Sequence, residues 1–245
     1  MPLDSDPFDW PLTTRAARLS RVNTLAYLRR TPSAGLLFVQ LAGVVLYPWM
    51  EASPQGRAVF TAFGLVVLGM ALHAVRRSPW VTWLALVLAA LVVTLSAIAA
   101  IVPHPGLAIA IAVLEAAFYF YAAGSLIAYM LQDWVATTDE LFAAGATFTL
   151  LAWAFAYVYV ACQTVMPGSF TAPLDPQAPR TWMELLFLSV AVLSGVGLSD
   201  IMPVTPMARA LVTLEMMAGV MYITIVVSRL VGLTIVARQG NRTGT

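Results

Sequence analysis

The amino-acid sequence predicts an all-α membrane protein with six transmembrane helices and a short re-entrant helix between the fifth and the sixth. Its composition, the lengths of its apolar runs and one apolar run too short to cross a membrane lead to this prediction. Hydrophobic residues make up 60% of the 245 residues and charged residues only 10%, whereas about 25% of the residues of a soluble domain are charged. A soluble fold of this length could not bury so much apolar surface, so lipid must surround most of the chain.

Six apolar runs approach or exceed the roughly 18 residues that a transmembrane helix needs. They are residues 33–50, 58–75, 80–102, 106–132, 141–165 and 207–236. Six crossings place both termini on one side, and most arginines outside the runs lie on that side: Arg15, Arg18, Arg21, Arg29, Arg30, Arg76, Arg77, Arg238 and Arg242. The other side has Arg57, Arg180 and Arg209. The positive-inside rule therefore predicts a multi-pass protein of the inner (cytoplasmic) cell membrane with both termini in the cytoplasm.

The part of the chain before the fifth run is predicted to form two units. Residues 1–32 form a cytoplasmic segment in which leucines and arginines alternate at helical spacing. This pattern is typical of a basic amphipathic helix on the anionic inner leaflet, although the arginines could equally serve only to set the topology. Residues 33–132 form a four-helix transmembrane domain. Its fourth run contains no arginine, so we do not expect gating by an arginine-bearing voltage sensor.

Between the fifth and sixth long runs lies a shorter apolar run, at residues 182–193. A helix of this length is only about 18 Å long and cannot cross the hydrocarbon core. Small and polar residues follow it, so the chain is predicted to turn back. Such a re-entrant element is tolerated only where protein or a water-filled cavity surrounds its non-helical part. The helix would direct the partial negative charge of its C-terminal end toward the middle of the membrane.

An outer helix, a short helix, a small-residue segment, the turn Asp200-Ile201-Met202-Pro203-Val204-Thr205-Pro206 and an inner helix with Gly219 follow one another in this part of the chain. This order resembles the pore of the potassium channel family, as in a bacterial six-transmembrane member. The resemblance covers residues 141–232 and implies a pore domain at 141–238 that assembles as a homotetramer. It also implies a selectivity filter whose backbone carbonyls replace the hydration shell of a cation. The corresponding residues are Ser194, Gly195, Val196, Gly197, Leu198, Ser199 and Asp200.

The filter departs from the family sequence Thr-Val-Gly-Tyr-Gly-Asp at three positions. Gly195 replaces the threonine whose hydroxyl forms the innermost ion site, and Leu198 replaces a bracing tyrosine. Ser199 replaces a glycine at a position expected to need a positive φ, which would strain a residue with a Cβ by about 1 kcal/mol. Ala191 and Val192 also stand where some relatives have a carboxylate and a threonine. We therefore expect sparse polar bracing and a pliable filter that is weakly selective, selective for another ion, or closed.

The inner helix is predicted to supply the cavity and the gate. Gly219 matches the hinge glycine of the family, and the alternative is that it permits close helix packing. By alignment the cavity face consists of Val220, Ile223, Val227 and Val231, with Thr224 and Ser228 beside it. An aliphatic ring near Val227 and Val231 could gate by dewetting.

Two further sets of charged residues are candidates for coupling or sensing. We predict that Arg229 pairs with Asp139, Glu140 or Asp133 in the cytoplasmic linker 133–140, which would tie the inner helix to the outer half. Glu115 is taken as the one carboxylate deep inside a span, where charge is costly. It is either protonated and hydrogen-bonded to Tyr119 or a sensor of protons or ions.

The function predicted from these features is a tetrameric channel, weakly selective for monovalent cations. No His-Glu-x-x-His motif, nucleophile elbow or pair of intramembrane aspartates indicates an enzyme. No inverted repeat indicates a transporter, and a net charge of +1 without a basic face gives no sign of nucleic-acid binding. The alternatives are a non-conducting homologue that acts through partners and, less favoured, a transporter. We expect lipids and monovalent cations as partners, no metal site and no cofactor other than K⁺ or Na⁺ in the filter, and a short cytoplasmic tail at 239–245.

Overall fold

The computed structural model describes residues 31–51, 63, 64, 66–71, 73, 82–102, 104–132 and 137–243. The side chains of a few of these, Val227 and residues 233–243 among them, are outside the description. The elements are the helices α1 (Pro32–Glu51), α2 (Thr82–Ile101), α3 (Pro105–Met130), α4 (Thr138–Val165), α5 (Trp182–Leu193) and α6 (Pro206–Thr243), and the strands β1 (Phe170–Thr171) and β2 (Met202–Pro203).

Five of the described helices are long and apolar enough to cross a membrane: α1 to α4, and α6 over Pro206–Val226. They coincide with five of the six predicted runs, which supports a multi-pass membrane protein. The remaining run, residues 58–75, is helical at 63, 64, 66–71 and 73, and the rest of it lies outside the described residues. The amphipathic helix expected before α1 also lies outside them, as do Arg57, Arg76 and Arg77.

Helix α4 is at the centre of the fold because it packs against α1, α3, α5 and α6. The interface between α3 and α4 is built from aromatic rings. Tyr119 of α3 packs edge-on against Trp153 at 5.8 Å between ring centroids and stacks on Tyr157 at 5.7 Å. Trp153 also packs edge-on against Trp182 of α5 at 5.1 Å. The aromatic cluster therefore connects the N-terminal helices to the short helix α5.

Helix α4 begins earlier than predicted. The hydroxyl of Thr137 accepts a hydrogen bond from the backbone N–H of Glu140 at 3.3 Å and caps the helix. Asp139 and Glu140 consequently lie in the first turn of α4, where negative side chains are favourable. The placement of these two residues in a linker before the helix is wrong, and residues 133–136 lie outside the described part.

Helix α5 has the bounds that the sequence predicts, Trp182–Leu193, and its start is held by a capping box. The Thr181 hydroxyl accepts from the N–H of Glu184 at 3.3 Å, and the Glu184 carboxylate accepts from the N–H of Thr181 at 2.6 Å. A buried Arg180 donates to the carbonyls of Leu174, Asp175 and Ala178 and pairs with Glu184 at 3.2 Å. These bonds fix the loop that leads into α5.

The turn after α5 is attached to the segment after α4 by the two short strands. Phe170 pairs with Pro203 and Thr171 with Met202 in antiparallel register. The backbone N–H of Val204 donates to the carbonyl of Ser169 at 2.9 Å. The chain that leaves α5 is thereby held at a defined position before α6 begins.

Candidate functional site

The predicted filter, residues 194–200, contains two glycines in left-handed conformations. Gly195 has φ +74° and Gly197 φ +68°, which a residue with a Cβ adopts only with strain. The N–H of Gly195 donates to the carbonyl of Val192 at 3.0 Å, and that of Gly197 to the carbonyl of Ala191 at 2.8 Å. The chain therefore folds back over the end of α5 and satisfies carbonyls that a helix C-terminus leaves unpaired.

The backbone carbonyl groups of the predicted filter differ from those at the end of α5. In the part of the chain that the structure describes, no donor is bonded to the carbonyl oxygens of Gly195 to Asp200. The side chains of Val196 and Leu198 are 71% and 74% exposed in the single chain. These oxygens are therefore available to an ion, to water or to a neighbouring chain.

Ser199 does not have the strained conformation that the sequence predicts. Among the described residues, Asp175 at φ +54° is the non-glycine residue with a positive φ. The hydroxyl of Ser199 instead accepts a hydrogen bond from the backbone N–H of Ile201 at 3.1 Å, a local turn that serine readily forms. Because Ile201 is buried, this bond anchors the outer end of the segment. The prediction of strain at Ser199 is wrong.

A polar network that the sequence does not reveal lies behind α5. Glu215 of α6 is fully buried, and its carboxyl group is hydrogen-bonded to the hydroxyls of Ser189 in α5 and Tyr159 in α4. The Ser189 hydroxyl also lies 2.9 Å from the carbonyl oxygen of Ala152. One carboxyl group thus joins the three helices of the predicted pore domain.

The position of Glu215 shows that one prediction is wrong. Glu115 is not the one carboxylate deep inside a span, since Glu215 lies within the span Pro206–Val226. In the described part of the chain the Glu215 carboxyl group bonds to Ser189 and Tyr159 and not to residues 194–200, so sparse polar bracing of the filter stays a prediction. A single acidic residue in the middle of a long apolar run is costly enough to be a signal by itself.

Gly219 lies one turn after Glu215 and lets α6 approach the end of α5. A Cβ at this position would be 2.9 Å from both the carbonyl carbon and the Cα of Leu193, and nearer still to its carbonyl oxygen. Leu193 in turn lies one turn after Ser189, so the two contacts follow each other along both helices. Close packing is therefore present at Gly219, and a hinge at this position stays a prediction.

The inner helix buries one stripe and exposes the rest of its surface. The buried residues, spaced three or four apart, are Ala208, Val212, Glu215, Gly219 and Tyr222. The predicted cavity residues Val220, Ile223, Thr224 and Val231 are exposed in the single chain, and the side chain of Val227 lies outside the description. The Thr224 hydroxyl donates to the carbonyl of Val220 at 2.7 Å, within its own helix.

The predicted ion pair of Arg229 is present with Glu140. Arg229 Nη1 lies 2.9 Å from the Glu140 carboxylate, whose side chain is only 3% exposed. The adjacent Asp139 has other partners: it accepts from the backbone N–H and the hydroxyl of Ser33, both at 3.2 Å, and from the Tyr129 hydroxyl at 3.3 Å. Glu140 thus binds α6, and Asp139 binds α1 and α3. Asp133 lies outside the described residues.

Glu115 of α3 has a different neighbour from the one predicted. Its carboxyl group interacts with the hydroxyl of Tyr157 in α4, and Tyr119 instead stacks its ring on Tyr157. Glu115 Oε2 is buried and has no hydrogen-bond partner among the residues that the structure describes. The expected hydrogen bond to Tyr119 is therefore wrong.

An ion channel family model matches residues 145–235. The match begins in α4, passes through α5 and the segment 194–200, and ends in α6. No curated protein and no solved structure matches the chain. The comparison therefore supports an ion channel domain in the part of the chain where α4, α5 and α6 are joined through Glu215 and Gly219.

Proposed function

We propose that the chain forms a homotetrameric cation channel, in which residues 194–200 of four copies line the ion pathway. The observation that carries this proposal is the exposed, non-helical backbone of Gly195 to Leu198, whose carbonyl oxygens have no hydrogen-bond partner among the described residues. Backbone of this kind cannot face lipid, and it is tolerated at membrane depth only against protein or water. Neighbouring copies of the chain supply the surrounding protein, and the aqueous pathway between them supplies the water.

The electrostatics of α5 favour a cation at this place. The helix ends at Leu193, immediately before the segment, and the C-terminal end of a helix has a partial negative charge. The apolar surface of α6 that the single chain exposes, at Val220, Met221 and Ile223, would then line the cavity or contact the next copy. Both termini lie in the cytoplasm in this arrangement, and the segment opens toward the outside of the inner membrane.

The filter chemistry supports weak selectivity among monovalent cations such as K⁺ and Na⁺. Gly195 supplies no hydroxyl for an inner ion site. The network around Glu215 braces α5 against α4 and α6, but it does not contact residues 194–200. A filter that is held at α5 and at Ile201, with little bracing between them, can adjust to ions of different radius.

The exposed Val196 and Leu198 favour one alternative, a non-conducting homologue that acts through partners. Four copies of each side chain around one axis could close the pathway by excluding water.

Stoichiometry and flux separate the two functions. The purified chain is first sized in detergent and then reconstituted into liposomes, where K⁺, Na⁺ and Ca²⁺ fluxes are measured in turn. A tetramer that passes K⁺ and Na⁺ at similar rates supports the channel, a stable monomer overturns it, and a tetramer without flux supports the alternative.

A glycine variant tests whether residues 194–200 form the pathway. Gly197→Ala places a Cβ at φ +68°, where nothing else lies within 4 Å, so the expected effect is local. Gly168→Ala is the matched control, because Gly168 has φ +80°, equally free space and a position in the loop after α4. We expect flux to fall at least tenfold in Gly197→Ala tetramers and to stay near the wild-type rate in Gly168→Ala. Equal flux in both would place the pathway elsewhere.

A further inference from the structure

A cavity of about 710 Å³ lies among the helices of the N-terminal half, outside the predicted ion pathway. Its walls come from α2, α3 and α4 and from residues 64 and 68. Most of the lining is aliphatic, as at Leu68, Val92, Ile111 and Val160. The volume falls within the range of pockets that bind small organic molecules, roughly 300–1,000 Å³.

Glu115 gives this apolar cavity one strong polar group. Its side chain lines the cavity, and its Oε2 is buried without a hydrogen-bond partner in the described part of the chain. A buried carboxyl oxygen without a partner loses its hydration and gains nothing in return. Glu215 shows that the same fold can provide two hydroxyl partners for a buried carboxyl group. Because the Glu115 side chain lines the cavity, a ligand donor bound there can pair with its carboxyl group.

The other polar groups of the cavity determine what kind of donor fits. Neither Lys nor Arg is among the described lining residues. Ser96 and His104 also line the cavity, and the His104 Nδ1 accepts from the N–H of Gly106 at 3.1 Å and caps α3. The one carboxylate among the described lining residues cannot provide the six or more oxygens that Ca²⁺ requires. A single organic ammonium group matches one carboxylate, and an aliphatic body matches the walls.

We propose that this cavity binds a lipophilic amine, a compact apolar molecule whose ammonium group pairs with Glu115. The Tyr157 hydroxyl lies beside the same carboxyl group, so it completes the polar end of the site. The ring of Tyr157 also packs against Trp182, the first residue of α5, at 5.8 Å between centroids. An occupied site therefore touches a side chain that contacts the short helix of the pore domain.

The binding test uses the full chain in lipid nanodiscs and tritiated 1-aminoadamantane, a rigid amine too compact to act as a detergent. Its neutral analogue 1-adamantanol has nearly the same shape. We expect saturable binding that unlabelled amine displaces and the alcohol does not displace at the same concentration. Glu115→Gln keeps the size of the side chain and removes the charge, and it should weaken binding at least tenfold, since hydrogen bonds to charged groups are the stronger ones.

Two control variants separate the site from general effects. Asp175→Asn removes a carboxylate from an exposed position with a positive φ that asparagine tolerates, and it should bind the amine like wild type. Ala108→Phe fills the cavity from an exposed lining position and should abolish binding with Glu115 intact.

The proposal is overturned if no saturable binding occurs, if Glu115→Gln binds like wild type, or if the alcohol displaces the amine equally well. The comparison of amine with alcohol needs no variant, so it decides the matter even if Glu115→Gln does not fold, and none of these readouts depends on ion flux.

Discussion

The buried carboxyl groups of helices α1 to α3 and of helices α4 to α6 differ in their hydrogen-bond and ionic partners. In α4 to α6, Glu215, Ser189 and Glu140 are buried and all have hydrogen-bond or ionic partners on another helix. In α1 to α3, the side chain of Gln40 is fully buried without a partner among the described residues, and so are Ser125 Oγ and Glu115 Oε2. Paired groups define one arrangement of helices, whereas unpaired groups in a membrane protein are sites for water, a ligand or another chain. In α4 to α6 the buried carboxylates are paired across helices, although Trp153 Nε1 of α4 also has no partner among the described residues. In α1 to α3 the unpaired atoms include a carboxyl oxygen, Glu115 Oε2, that a partner can bind.

The largest effect that this difference predicts is at Glu215. Glu215→Ala removes the carboxyl group, opens a cavity, leaves the Tyr159 hydroxyl unpaired and leaves the Ser189 hydroxyl with only the Ala152 carbonyl. We expect a loss of about 3 kcal/mol or more in the free energy of unfolding, measured by titration with sodium dodecyl sulfate in mixed micelles. The neighbouring Met216→Ala truncates an exposed side chain and should lose far less. Equal losses in the two variants would show that the network does not hold the three helices.

The next effect concerns the contact between α5 and α6. Gly219→Ala introduces a Cβ 2.9 Å from the Leu193 carbonyl carbon, and a backbone atom cannot rotate away. We expect a loss of about 1–3 kcal/mol in the same titration, as for other overpacked sites. Gly232→Ala on the same helix, where nothing lies within 4 Å of the added Cβ, should be neutral or stabilising by up to about 1 kcal/mol. If Gly219→Ala behaved like Gly232→Ala, close packing at this position would not be required.

A smaller effect is expected at the cytoplasmic end, where Arg229 binds Glu140. A double-mutant cycle with Arg229→Gln and Glu140→Gln should give a coupling energy of about 1–2 kcal/mol, because the pair is largely buried and screened little by salt. The flux of the same variants, measured in liposomes, tests the predicted link between α6 and the outer half. Strict additivity of the two substitutions would remove the pair as a coupling element. Asp139→Asn changes the adjacent junction to Ser33 and Tyr129 and serves as the comparison.

The sequence alone predicts the parts of this structure that depend on local patterns. Helix lengths follow from runs of apolar residues, and α5 follows from a run too short to cross. The Arg229 pair is predictable because few acidic residues are close to that side of the membrane.

Contacts between distant helices are not predictable in the same way. Glu215, Ser189 and Tyr159 are far apart in sequence, and nothing local indicates that their side chains meet. The spacing on α3 predicts Tyr119, one turn away, as the partner of Glu115. In the structure the carboxyl group interacts instead with Tyr157 of α4, on which Tyr119 stacks its ring. For the two glutamates, the packing of a second helix decides what a pattern on one helix leaves open. Ser199 differs, because analogy of position predicts strain there, whereas its own hydroxyl provides a local bond and its φ is ordinary.

The smallest effect is expected at Glu115, and it is the sharpest test of the comparison because the substitution is the same as at Glu215. Glu115→Ala removes a carboxyl oxygen that has no partner among the described residues and extends a cavity that is already present. The variant loses one interaction with Tyr157 and relieves the burial of an unpaired polar atom, and these terms oppose each other. We expect a change of less than about 1 kcal/mol in the free energy of unfolding, against about 3 kcal/mol or more for Glu215→Ala. A loss at Glu115 as large as that at Glu215 would mean that this carboxyl group also holds helices together, and the distinction between the two helical regions would then not hold.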